Sequence, residues 1–246
     1  MGDVTETLDG GVLELTLARP AKKNALTGAM YAQLTAAFGR ARADPSIAAV
    51  LIASEGVDFC AGNDLHDFLG SGGVSPHGPI MQFLHALARL EVPLVAAVQG
   101  RAVGVGATLL LHCDLVTAAP DAQLIMPFVS LGLPPEAGSS QLLPALVGHR
   151  VAAEMILLGR PVGAERALQL GLVNLIDEDP LGAARALAQD LARQPRAAVR
   201  AAKALLRREG DSLPERIDLE AKLFAEALST PEFQARAMAV LSKGAG

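Results

Sequence analysis

One acidic residue in an apolar, small-residue segment is the strongest chemical feature of this sequence. Glu136 follows a run without charge from Leu124 to Pro135, and no further charged or titratable residue occurs until His149. If its side chain is buried, desolvation raises the pKa of the carboxyl toward neutrality, where it takes and returns a proton well. Glu136 is therefore a candidate general base. Alternatively, it lies in the first turn of a helix after Pro134 and Pro135, where a negative charge suits the helix dipole.

Two glycine-containing turns, residues 59–65 and 100–107, could bind a carbonyl oxygen through exposed backbone amides. If they face each other, they form an oxyanion hole, although glycines that serve only tight packing are an equal alternative. A dinucleotide site does not fit the second turn, because Leu109 stands where the third glycine of G-x-G-x-x-G belongs after Gly104 and Gly106.

The remaining reactive side chains favour structural roles. His112, Cys113 and Asp114 have no second cluster at ligand spacing, so no metal site is predicted. Cys60 has no neighbour in sequence that would lower its pKa, and we interpret it as a buried thiol rather than a nucleophile.

Composition restricts the function classes. The chain has 246 residues, is 51% hydrophobic and carries a net charge of -5. It has one Tyr, no Trp and no dense Lys/Arg run, which disfavours nucleic-acid binding. Two distant cysteines, an acidic N-terminus and the lack of a long apolar stretch are typical of a cytoplasmic protein that neither enters a membrane nor depends on disulfides.

The elements that must position these residues alternate between strands and helices. A helix is predicted after Thr27, which can cap it, with Met30, Leu34, Ala37 and Phe38 on one face. The apolar strand 48–53 has no polar face, which indicates burial on both sides of a partly parallel sheet. Residues 70–78 have loop composition. Further strands are predicted at 11–17, 93–98, 115–118 and 123–126, and further helices at 80–90 and 107–113.

The sequence changes character near residue 179. Amphipathic helices are predicted at 181–194, 197–208 and 213–228 with no strands between them. We therefore predict an α/β core over residues 1–178, with the candidate site, and a helical region over residues 179–246 that covers the core and assembles subunits.

Several motifs together resemble the enoyl-CoA hydratase/isomerase (crotonase) superfamily. They are residues 19–26 (RPAKKNAL), 59–65 (FCAGNDL), 97–100 (AVQG) with 104–106 (GVG), and 113–115 (CDL), and the match covers about residues 5 to 243. The resemblance implies a ββα-spiral core, a C-terminal helical trimerisation region giving a homotrimer or hexamer, and an acyl-CoA thioester substrate. Coenzyme A belongs to that substrate, so no separate cofactor is expected.

The resemblance also implies roles for individual residues. The thioester carbonyl would accept hydrogen bonds from the backbone amides of Asn63 and Val105, the second of which follows Gly104. Phe128, Leu131 and Leu133 would exclude water, with Phe128 and Leu131 lining the substrate. Positions that match the family's CoA-binding segments are Lys22, Lys23, Ala25, Ala61, Gly62, Asn63, Asp64 and Leu65.

Two departures from the hydratase pattern favour isomerisation. The family's hydratases use two glutamates, and the matching positions here are Thr108 and Phe128, neither of which can act as a base. Glu136 matches the single glutamate of isomerases similar to the peroxisomal Δ3,Δ2-enoyl-CoA isomerase. The resemblance thus implies a 1,3 proton shift by Glu136. A hydratase in which Asp64 or Thr108 places the water, another acyl-CoA reaction and a catalytically silent acyl-CoA-binding protein are the alternatives.

Overall fold

The computed structural model describes residues 2–70, 75–208 and 210–243. The chain forms two compact units, Met1–Ala192 and Arg193–Gly246. The sequence instead predicted a division after residue 178. The later division follows from the helix Pro180–Ala192, which packs on the sheet of the first unit through Ala184 and Ala188.

The strands of the first unit form two sheets. The larger sheet has the order β1-β2-β3-β4-β6-β9 and is parallel except for the antiparallel pair β1 and β2. The smaller sheet has the order β5-β7-β8. The strands are β1 (Val4–Asp9), β2 (Val12–Leu17), β3 (Ala49–Ser54), β4 (Leu94–Val98), β5 (Arg101–Val103), β6 (Leu115–Ala118), β7 (Gln123–Ile125), β8 (Val162–Gly163) and β9 (Leu175–Ile176).

The chain winds as a spiral between these sheets. After β3 it reaches the small sheet through a bridge between Cys60 and Ala102, after β4 it forms β5, and after β6 it forms β7. Consecutive turns of the spiral therefore stack their short strands side by side. The predicted ββα-spiral core is confirmed, and its repeated strand ends lie together at the small sheet.

The helices of the first unit surround the sheets. Thr27 caps α1 by accepting a hydrogen bond from the Met30 N–H, as predicted, and the expected apolar face of α1 is buried. The helices are α1 (Gly28–Ala43), α2 (Leu65–Gly70), α3 (Pro79–Ala88), α4 (Val105–Thr108), α5 (Ser139–Val147), α6 (His149–Leu157), α7 (Ala164–Gln169) and α8 (Pro180–Ala192), with 3-10 turns at Pro20–Lys22, Leu109–His112 and Val129–Leu131.

Both faces of the larger sheet are covered. Val50 and Ile52 of β3 join the main core, whereas Ala49, Leu51 and Ala53 pack beneath α8. Alternate residues of a strand point to opposite faces, so a strand buried on both sides needs apolar residues throughout. The prediction made from the continuous apolar run is confirmed.

The second unit is helical in the described residues, as predicted. It contains α9 (Arg196–Leu206), α10 (Leu213–Leu228) and α11 (Pro231–Lys243). A capping box between Ser212 and Glu215 begins α10, and the Arg216 guanidinium donates to the carbonyl of Leu205 at the end of α9. No described helix has the length and apolar character needed to cross a membrane.

Candidate active site

The first turn is held by the segment that precedes α1. The Leu26 N–H donates to the Gly62 carbonyl at 2.8 Å, and the Asp64 N–H donates to the Leu26 carbonyl at 2.9 Å. This parallel bridge directs the intervening Asn63 N–H away from Leu26. Among the described residues this N–H donates to no protein group, and it is available to a ligand.

The second turn lies directly against the first. Gly62 and Gly104 have φ of 95° and 55°, and a Cβ on Gly104 would lie 4.0 Å from the Gly62 Cα. Val105 begins α4, so its N–H has no acceptor within the helix. A Cβ on Gly106 would lie 2.7 Å from the Cys60 carbonyl oxygen, so glycine is needed for the turns to meet. The structure thus juxtaposes the two predicted glycine turns.

Glu136 does not belong to a helix. The helix α5 begins at Ser139, with Gly138 as its N-cap, so the alternative interpretation of Glu136 as a first-turn acid is wrong. Ala137 and Gly138 both have positive φ, 56° and 70°, and this left-handed pair turns the chain sharply between Glu136 and α5. A non-glycine residue in this conformation needs surrounding contacts to hold it.

The Glu136 carboxyl is set into the protein interior. Its Oε1 atom is buried and accepts no hydrogen bond from the residues that the structure describes. Burial raises the pKa of Glu136 to about 7, because the charged form loses hydration without gaining a partner. A carboxyl with this pKa can accept and return a proton near neutral pH.

Side-chain hydrogen bonds from Ser139 and His112 help to hold the turn that carries Glu136. The Ser139 hydroxyl donates to the Glu136 carbonyl at 2.7 Å. The His112 Nε2 lies 2.8 Å from the Ala137 carbonyl oxygen, which only accepts, so this nitrogen carries the proton. His112 supports a predicted catalytic residue, which its position in sequence did not reveal.

Glu136 lies close enough to Tyr31 of α1 and Cys60 of the first turn to affect their titration. Burial, and next the charge of Glu136, raise the pKa of Tyr31 well above its usual value. Burial raises the pKa of Cys60 to about 12, with a smaller contribution from Glu136. The prediction that Cys60 is a buried thiol is confirmed. The hydroxyl of Tyr31 donates to the Asn63 Oδ1 at 2.5 Å, a contact that sequence reasoning missed.

Asp64 is committed to structural contacts. Its Oδ2 accepts from the Arg19 guanidinium at 2.8 Å, and its Oδ1 accepts from the N–H groups of His66 and Asp67. The bond from Arg19 holds the pKa of Asp64 below its ordinary value, followed in importance by the bond from the Asp67 N–H. Asp64 joins residues 19–26 to the first turn and is poorly suited to placing a catalytic water.

The predicted CoA-binding positions come together. The Ala61 N–H donates to the Lys23 carbonyl at 2.9 Å, which places the lysine segment beside the first turn. Lys22 and Lys23 are exposed, Leu65 is 62% exposed, and Ala25 is partly buried. The two exposed ammonium groups beside the first turn suit a phosphate-bearing ligand.

Asn24 holds the backbone of the lysine segment in place. Asn24 is fully buried with a φ of 55°, and its amide donates to the carbonyls of Glu55 and Asp58 at 2.8 and 2.9 Å. These bonds anchor the backbone of the lysine segment to the loop that follows β3.

The three apolar residues predicted to exclude water from the site differ in their exposure. Phe128 is 6% exposed and can shield the site, but Leu131 and Leu133 are 62% and 48% exposed. The role of both leucines in excluding water therefore stays a prediction, and Leu131 lies in the 3-10 turn Val129–Leu131. Of the predicted loop 70–78, residues 71–74 lie outside the described part of the chain.

Thr108 carries a buried hydroxyl that has no hydrogen-bond partner among the described residues. Its Oγ1 and the Glu136 Oε1 are the buried side-chain oxygens of the described residues that lack a hydrogen bond. Thr108 lies one turn after Val105 and one turn before His112, on the helical segment between the second turn and the Glu136 turn.

Comparison with known proteins decides which family uses this arrangement. The profile of the family Enoyl-CoA hydratase/isomerase matches residues 7–244. The chain belongs to the enoyl-CoA hydratase/isomerase family. It is an acyl-CoA enzyme of the crotonase superfamily.

Individual relatives carry different activity names. The chain is 37% identical over 243 residues to the "Probable enoyl-CoA hydratase EchA14" of Mycobacterium tuberculosis, covering 94% of each chain. It is 36% identical over 227 residues to the 1,2-epoxyphenylacetyl-CoA isomerase of Escherichia coli, covering 87% of this chain and 85% of the relative. The solved structure of an enoyl-CoA hydratase from Polaromonas sp. JS666 superimposes with a TM-score of 0.91 at 30% identity and covers 98% of both chains.

Proposed function

We propose that this enzyme shifts the double bond of a 3-enoyl-CoA to the 2-position, with Glu136 as the proton carrier. The observation that supports this most directly is the Glu136 carboxyl, whose buried Oε1 has no partner among the described residues and whose pKa is raised to about 7. Such a carboxyl is matched to removing a proton and giving it back.

The proposed reaction needs no group beyond those described. The Glu136 carboxylate removes a proton from C2 of the acyl chain, and the electron pair moves onto the thioester oxygen. The Asn63 and Val105 N–H groups donate to that oxygen and stabilise the dienolate, an interaction worth about 2.7 to 4 kcal/mol per aimed amide. The Glu136 carboxyl then returns the proton to C4, which leaves the double bond between C2 and C3, conjugated with the carbonyl.

Isomerisation is favoured over hydration because only one carboxylate is poised in the described site. Asp64 is engaged by Arg19 and by backbone N–H groups, so it is unsuited to orienting an attacking water. Phe128 is buried and apolar at the position where, by resemblance, hydratases carry a glutamate. A proton carrier shielded from water moves a proton between carbons with less competition from addition of water.

Hydration of a 2-enoyl-CoA is the second candidate. The buried Thr108 Oγ1 has no partner among the described residues and favours it, because this hydroxyl could hold a water that Glu136 activates. Hydratase names among the relatives support the same reading.

One pair of assays separates these functions. The purified enzyme is given 3-hexenoyl-CoA in one assay and crotonyl-CoA in the other, and the absorbance of the conjugated enoyl thioester is followed. The isomerase proposal predicts rising absorbance with 3-hexenoyl-CoA and little loss with crotonyl-CoA. Comparable hydration of crotonyl-CoA would transfer the proposal to the hydratase. If both substrates are inert but acyl-CoA binds, the chain is a binding protein and the proposed chemistry is wrong.

Assembly stays a prediction from the resemblance. We propose a homotrimer or hexamer, which light scattering coupled to size-exclusion chromatography would measure directly; a monomeric mass would refute it.

A further inference from the structure

Tyr31 is the one tyrosine of the chain, and the fold places its hydroxyl at the proposed oxyanion site. The residue lies on the apolar face of α1 and is 1% exposed. Its ring packs against Phe83 of α3 with centroids 5.1 Å apart, and Phe83 in turn stacks on Phe38 at 5.8 Å. This aromatic cluster fixes the ring and therefore fixes the position of the hydroxyl.

The hydroxyl contacts the residue whose backbone N–H is proposed to bind the thioester oxygen. It donates to the Asn63 Oδ1 at 2.5 Å, whereas the backbone on either side of Asn63 is held by Leu26. The bridge to Leu26 holds the backbone of the first turn in place. The hydrogen bond from Tyr31 restrains the Asn63 side chain and, through it, the orientation of the Asn63 peptide. Nothing else among the described residues is shown to bond to the Asn63 side chain.

We propose that Tyr31 is a positioning residue that aims the Asn63 N–H at the thioester oxygen. This inference rests on the proposed function, because it assumes that the Asn63 amide binds the carbonyl of an acyl-CoA. The hydroxyl acts through Asn63 and is not required to touch the substrate. The packed ring holds the Tyr31 side chain rigidly, and its hydroxyl orients Asn63.

The expected effect falls on the transition state. Loss of an oxyanion donor costs about 10²- to 10³-fold in kcat, and a misaimed donor costs part of that. We expect Tyr31→Phe to lower kcat on the order of tenfold or more, with little change in KM, because charge on the oxygen develops only during the reaction.

Tyr31 also lies near Glu136, so the test must separate positioning from an effect on the base. Burial is the cause of the raised pKa of Glu136. The Tyr31→Phe variant keeps the ring and the burial, so the pH at which activity is half-maximal should stay unchanged. A shifted midpoint would show that the hydroxyl acts on Glu136 and would overturn the positioning role.

The decisive measurement does not depend on turnover. Butyryl-CoA labelled with ¹³C at the carbonyl is bound at saturation, and the carbonyl stretching frequency is recorded by difference infrared spectroscopy. Hydrogen bonds to the oxygen lower this frequency in the wild-type enzyme. We expect a smaller downshift in Tyr31→Phe, whereas the matched control Thr35→Val should retain the full downshift. Thr35 donates to the Tyr31 carbonyl at 2.7 Å, one turn along the same helix, so its loss tests a hydroxyl outside the site.

The outcomes distinguish the two proposals. A wild-type spectrum without a downshift would overturn both the oxyanion role and the inference built on it. A full downshift in Tyr31→Phe would overturn the inference alone, whatever the enzyme does to 3-hexenoyl-CoA. If Tyr31→Phe does not fold, Asn63→Ala removes the same bond from the other side and keeps the backbone N–H. It should reproduce the reduced downshift, and a full downshift there would overturn the inference.

Discussion

The activity of this enzyme should depend on the ionisation of Glu136 in a range where ordinary glutamates do not titrate. The base must be charged to take a proton, and its pKa is about 7 rather than the ordinary glutamate value of 4.5. From that value, the charged fraction rises from about one-eleventh at pH 6 to about ten-elevenths at pH 8, so kcat/KM should increase about tenfold. The profile is measured with 3-hexenoyl-CoA. A kcat/KM that stays level between pH 6 and 8 would refute the assigned pKa.

The variant Glu136→Gln tests whether the same carboxyl performs the chemistry. It keeps the size and polarity of the side chain but cannot accept the proton, so kcat should fall about 10²- to 10⁴-fold. Affinity for butyryl-CoA, measured by calorimetry, should change little. The matched control Glu178→Gln alters an exposed glutamate and should behave as wild type. Activity of Glu136→Gln within a few-fold of wild type would eliminate Glu136 as the base.

Stability provides an independent check, because a raised pKa links folding to pH. The folded enzyme keeps the Glu136 proton up to about pH 7, whereas the unfolded chain loses it near 4.5, so this group destabilises the fold as pH rises between those values. The difference between these two pKa values corresponds to a loss of about 3 kcal/mol in the free energy of unfolding. Glu136→Gln should therefore be more stable than wild type at about pH 8 and equally stable at about pH 4 in urea unfolding. A less stable variant at pH 8 would contradict burial without a partner.

Two further predictions concern the parts that bring the site together. Gly106→Ala should lower the free energy of unfolding by about 1 to 3 kcal/mol and reduce activity, because the new Cβ would lie 2.7 Å from the Cys60 carbonyl oxygen and force the two turns apart. His112→Ala should lower the free energy of unfolding by about 1 to 3 kcal/mol, because the Ala137 carbonyl loses the His112 donor. It should also reduce kcat by about tenfold or more, because Glu136 would be displaced from its position. Chemical denaturation and kcat measurements check both.

Each of these variants has a control in the same chain. Gly39→Ala changes a glycine on α1 whose Cβ would meet nothing within 4 Å, and it should raise stability by about 0.5 to 1 kcal/mol. His85→Ala alters an exposed histidine on α3 and should leave kcat unchanged. If Gly106→Ala is as stable and as active as Gly39→Ala, the close contact of the turns is not required. If His112→Ala has the same kcat as His85→Ala, the bond from His112 to Ala137 is not needed to position Glu136.

Much of the fold could be predicted because it rests on local signals. The apolar face of α1, its Thr27 cap and the continuous apolar run of β3 each specify one element from nearby residues. The helices α5, α6 and α7 were not assigned. The division between units was also placed too early, because the amphipathic pattern of α8 does not tell which surface it covers.

The site divides in the same way. Glu136 stood out because no other charge occurs near it in sequence, and the glycines of both turns marked places where backbone amides can be exposed. By contrast, Tyr31 was hidden among the apolar residues of a helix face, and His112 in a segment interpreted as structural. Their signal lies in partners 32 and 25 residues away, which sequence spacing does not report.

The sequence by itself determined the residue types, the two flexible turns and a single acid in apolar surroundings. Only the tertiary structure decided that the turns meet at Gly62 and Gly104, that Glu136 precedes α5 rather than entering it, and that Asp64 is committed to Arg19. The physical reason is that hydrogen bonding and desolvation act over a few ångströms in space. Residues far apart in the chain acquire a shared environment, and therefore a shared chemistry, only when the spiral brings its turns together.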